Sequence, residues 1–162
     1  MKTRTITTVA LNSALSLIFL YILSVAPTMR IALCAVIVVM AALTVVRCGK
    51  KTGTAQYAVT AILAFILIPD KYFVGFYALF LGHYAVCKSL IESLNKLWLE
   101  WVLKLILINV CILIAVVLLK FIADVVLEGL MYVWVAFNIV FVVLDLALTV
   151  LIDFFVKRLR FL

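Results

Sequence analysis

The chain has 162 residues, 70% of them apolar and 13% charged, with a net charge of +7 and a mean hydropathy of +1.41. A soluble domain has an apolar share of about 45–50%, so the composition excludes one and points to an all-α integral membrane protein. A helix needs about 20 residues to cross a hydrocarbon core of about 30 Å, so six crossings would consume the chain and leave no folded soluble domain.

The first predicted span runs from about 5 to 26 and stops at Pro27; the second covers about 28–46 after a very short connection. The first is read as retained, because its apolar stretch is long and lacks a small-residue cleavage site. A glycine-flanked basic turn, Cys48 to Gly53, precedes a short third span, 54–68, which Pro69 ends; Asp70 is placed to cap the next helix. The fourth span, 72–87, carries Gly75, Ala78, Gly82 and Ala85 at helical spacing, a stripe that would let another helix approach closely. Residues 88–97 read as an amphipathic interfacial stretch. There Lys88, Glu92 and Lys96 stand four apart, as do Glu100 and Lys104 beyond, and Trp98 and Trp101 serve as anchors. The fifth span is 97–121 and the sixth 126–155, followed by a basic tail. The whole reads as one compact six-helix domain.

If successive spans alternate direction, Lys2, Arg4, Arg47, Lys50, Lys51, Lys88, Lys96, Lys157, Arg158 and Arg160 share one face, and only Arg30, Lys71 and Lys120 the other. The crowded face is then cytoplasmic, with both termini inside. Basic residues at helix ends are explained by lipid headgroups and topology, so the bilayer is the expected partner and nucleic acid is not.

Polar groups within lipid are costly, and each is a candidate for function or for helix pairing. Asn109 and Asn138 fall at similar depth and read as a hydrogen-bonded pair or as ligand contacts; Asn12 lies in the first span. Asp145 lies at the depth of Lys104, its expected partner. His83, the single histidine, has no carboxylate or cysteine at ligand spacing, and the four cysteines are scattered, so no metal, cofactor or disulfide is expected. Without a nucleophile elbow, a zinc-protease motif or a phosphate loop, no enzyme is expected either. At the external ends, Arg30, Asp70, Lys71, Tyr72, Lys120, Asp124, Glu128, Tyr132 and Trp134 gather around three short loops. They read either as interfacial anchors or as the rim of a shallow outward pocket.

In size, span count, terminal placement, tiny loops and basic N-terminal lead, the chain resembles the substrate-binding S components of energy-coupling factor (ECF) vitamin transporters. The most specific local feature is Ala10-x-x-x-Ala14 within TVALNSALSLIF. In that family such a pair packs on a transmembrane coupling protein driven by two cytosolic ATPases; ordinary packing within the chain is the other reading of two alanines four apart. The resemblance implies a substrate-capture subunit of a bacterial cell membrane, binding a small vitamin-like solute outside through Arg30, Asp70, Lys71, Tyr72, Glu128, Tyr132, Trp134 and Asn138. The alternative is a structural or scaffolding envelope protein similar to the rod-shape protein family, with a closed external end and no ligand pocket.

Overall fold

A computed structural model describes residues 3–26, 29–123 and 130–159; for Arg4 and residues 122–123, 130 and 155–159 it describes the backbone alone. The described residues form six helices and no strand: α1 (Thr3–Val25), α2 (Arg30–Cys48), α3 (Lys50–Leu67), α4 (Lys71–Glu92), α5 (Leu97–Ala123) and α6 (Leu130–Leu159). All but α3 are long and apolar enough to cross a membrane, as befits a multi-pass membrane protein.

The shortfall in α3 has a simple source. The helix begins at Lys50, four residues ahead of the expected third span, because the basic turn is reduced to Gly49, whose φ of 90° suits glycine. Lys50 and Lys51 thus join the first turn, and Thr52, Gln56 and Thr60 form the buried face. At the far end Ile68 is extended, as a residue before proline should be, and Asp70 Oδ1 accepts the Tyr72 N–H at 3.0 Å, capping α4.

Polar side chains are buried alongside an apolar core, and many large apolar ones face outward. α1 turns Ser13 and Ser16 inward and exposes Ile6, Leu11 and Ile18; α3 turns Gln56 and Thr60 inward and exposes Ile62, Phe65 and Ile66. Lys88, Lys104 and Asp145 are buried, with 2%, 4% and 1% of their surface exposed. Where the solvent is hydrocarbon, apolar side chains lose nothing by facing outward and polar groups are better placed inside; the Ser13, Ser16 and Thr60 hydroxyls and Gln56 Oε1 have no hydrogen-bond partner there among the described residues, but others do. Asn12 accordingly donates to Thr44 Oγ1 of α2 at 2.7 Å, a tie of about 0.6 kcal/mol by the average for such bonds in membranes.

α4 is not a uniform helix. Tyr77–Leu81 forms a π-helical turn in which the Gly82 N–H bonds to the Tyr77 carbonyl instead of that of Ala78. The released Ala78 carbonyl accepts from the Tyr57 hydroxyl at 3.1 Å and faces His83 Nδ1 at 3.2 Å. A carbonyl can only accept, so Nδ1 carries the proton. The expected small-residue stripe is broken by this turn. Gly82 lies under the Tyr57 ring, where a Cβ would meet Cδ2 at 2.4 Å, whereas a Cβ on Gly75 would meet nothing.

The expected interfacial stretch over 88–97 is also corrected, since α4 continues to Glu92 and buries Lys88; only residues 93–96 form a turn before α5. α1, α2 and α3 pack closely together with α4 against them, whereas α6 meets them chiefly along α2 and α5 chiefly along α4. The buried share of the apolar stretch falls from 33–44% in α1, α2 and α4 to 17% in α5 and α6, so the last two helices stand partly away from the rest.

Candidate functional site

That standoff leaves a groove of about 1450 Å³ between α2 and α4 on one side and α5 and α6 on the other. Along α6 it reaches from Met131 to Leu148, a length of about 26 Å at a rise of about 1.5 Å per residue. Its wall is apolar and partly aromatic: Phe80 packs on Phe137 with centroids 4.9 Å apart and on Phe76 at 5.2 Å, and Tyr84 meets Phe141 edge-on at 5.2 Å. Among the described residues the charged groups lining it are Arg30 and Lys71, both at one end.

Two polar ties hold α5 and α6 in place, which matters because apolar contact alone does not drive helix association in lipid. Near the Arg30 end, Asn109 Nδ2 donates to Asn138 Oδ1 at 3.2 Å and Trp134 Nε1 donates to Asn109 Oδ1 at 2.6 Å. Toward the other end, Asp145 of α6 receives Lys88 Nζ and the Tyr84 hydroxyl from α4 on Oδ1, and Lys104 Nζ from α5 on Oδ2 at 2.9 Å. Glu92 Oε1 lies 2.8 Å from both ammonium groups, and Thr149 Oγ1 accepts from Lys88 at 2.8 Å. Two cations therefore meet two carboxylates, and the cluster is neutral as a whole. Burying an ion pair is costly unless further hydrogen bonds support it, and here Tyr84, Thr149 and Glu92 supply them.

The residues expected at the external ends separate into distinct groups. Arg30, Lys71, Tyr72 and Trp134 line the groove. Asp70 serves as the α4 cap and does not line it; Tyr132 is 84% exposed and does not line it; Asn138 does not line it but bonds to Asn109 and Trp134, which do; and Glu128 lies outside the described residues, as does Asp124. Ala10 and Ala14 are exposed on the outer face of α1, so packing within the chain does not account for them. The Lys104–Asp145 and Asn109–Asn138 pairings agree with equal depth, but Lys104 is turned to Glu92 and Asp145 and not to Glu100.

Sequence reasoning missed Lys88 and Tyr84 as partners of Asp145, and it missed the phenylalanine wall. Spacings of four between Phe76 and Phe80 and between Phe137 and Phe141 were the available signal. His83 Nε2 faces the Cys111 sulfur at 3.8 Å, and no group of three or more metal-ligating side chains occurs among the described residues. No family model, curated protein or solved structure matches the chain.

Proposed function

We propose that the protein is a non-catalytic solute-capture subunit of a bacterial cell membrane, of the ECF S-component kind. In this reading all six helices cross the bilayer, both termini are cytoplasmic, and uptake depends on a partner coupling protein with its two ATPases. The groove is the observation that carries the reading: it gathers Arg30, Lys71, Tyr72 and Trp134 at one end and offers a concave apolar wall. A scaffold with a packed external end would have no need of it. The apolar outer face of α3 supports a crossing there despite the polar inner face, and the exposed Ala10 and Ala14 leave a shallow surface for a partner helix. The uneven distribution of basic residues supports an orientation with the Arg30 end outside.

Native mass spectrometry of the gently purified protein tests the capture step. The wild type is expected to retain a small molecule that Ala35→Phe plus Ala136→Phe, on opposite walls of the groove, displaces. A wild type that carries nothing, or a ligand indifferent to the filled groove, would refute the reading.

A further inference from the structure

We infer that the occupant of the groove is a chain-like amphiphile with an acidic headgroup, a lipid that enters sideways from the membrane and places its head at Arg30 and Lys71. The inference rests on the groove being the capture site and names the chemistry that site selects. Shape supports the chain: the groove is about 26 Å long at about 1.5 Å per residue, so the chains of one lipid, which reach about half of the hydrocarbon thickness of about 30 Å, fit wholly within its Arg30 half. Its volume of about 1450 Å³ exceeds the range of about 300–1,000 Å³ usual for small-molecule pockets. A compact polar solute would leave most of that wall uncovered.

Charge supports the head. The lysines and carboxylates at the opposite end neutralise one another and do not line the groove. Arg30 stacks on Phe73, 5.1 Å from the ring centroid, and its guanidinium has no ion-pair or hydrogen-bond partner among the described residues. Lys71 is turned to the end of α3, donating to the carbonyls of Phe65 at 2.5 Å and Ile68 at 2.9 Å and lying 4.9 Å from the Phe65 ring centroid, so it adds positive charge beside the mouth while Arg30 supplies the open donors. Asp70, beside it in sequence, is engaged by the Tyr72 N–H at 3.0 Å and does not line the groove. A guanidinium with open donors at the apolar mouth, beside the positive charge of Lys71, suits a head whose phosphate carries net negative charge better than a zwitterionic or neutral head.

Trp134 provides the probe, because it lines the groove and becomes the only tryptophan once Trp98→Phe and Trp101→Phe are made. In nanodiscs, brominated phosphatidylglycerol is expected to quench it saturably at a mole fraction about tenfold lower than brominated phosphatidylcholine, the size of effect charge-assisted bonds give. Arg30→Gln, alone or with Lys71→Gln, should erase the preference while quenching persists; the single variant leaves the α3 carbonyls bonded to Lys71. Ala35→Phe plus Ala136→Phe should abolish saturable quenching by both lipids. Equal quenching by the two lipids in the wild type, or a preference that survives Arg30→Gln, overturns the headgroup assignment; if the filled groove still blocks quenching, the groove stands as a site. Quenching indifferent to the filled groove overturns both.

Discussion

Asp145 is the residue on which the half of the molecule near Glu92 turns, since its carboxylate joins α4, α5 and α6 through Tyr84, Lys88 and Lys104. Removing one member of a buried ionic set leaves the others uncompensated, at a cost of about 3–5 kcal/mol. Asp145→Ala is expected to lose that much in an SDS unfolding titration. In the background of Lys104→Met the loss should be smaller, because the two residues share one interaction; additive losses would show that they do not. Glycines give a finer contrast. Gly82→Ala drives a methyl against the Tyr57 ring and should destabilise by about 1–3 kcal/mol, whereas Gly75→Ala meets open space and should gain up to about 1 kcal/mol of helix propensity. The same titration checks both, and equal responses would contradict the close approach at Gly82.

At the scale of elements, what could be read in the sequence was what counting along one dimension can supply. Pro69 and Asp70 mark a helix end and a cap by chemistry, and the depths of Lys104 with Asp145 and Asn109 with Asn138 follow from rise per residue. Rotation about a helix axis does not follow from counting. The π-helical turn at Tyr77–Leu81 adds a residue to α4 and rotates everything after it by about 100° relative to an unbroken helix. That offset breaks the expected stripe and helps to explain why Lys88, paired with Glu92 four residues on, is buried and reaches Asp145 as well. The sequence marked one end of the groove through Arg30, Lys71, Tyr72 and Trp134. Its length stayed hidden because lipid-facing and groove-facing positions are both apolar.

At the scale of the whole molecule, a closely packed set of helices, α1 to α4, carries two long ones that touch it mainly through α2 and α4. Polar ties hold these two helices, and an apolar groove runs between them and the rest. The outer face of α1, with Ala10 and Ala14 exposed, is available to a partner without disturbing any of this. The proposal of a capture subunit therefore requires that the chain associate with a coupling module through that face. Co-purification with an ECF-type coupling protein and its ATPases tests this most directly. The wild type is expected to recover the complex, while Ala10→Trp plus Ala14→Trp should fold normally and lose it. Failure of the wild type to associate, or association unchanged in the double variant, would contradict the account.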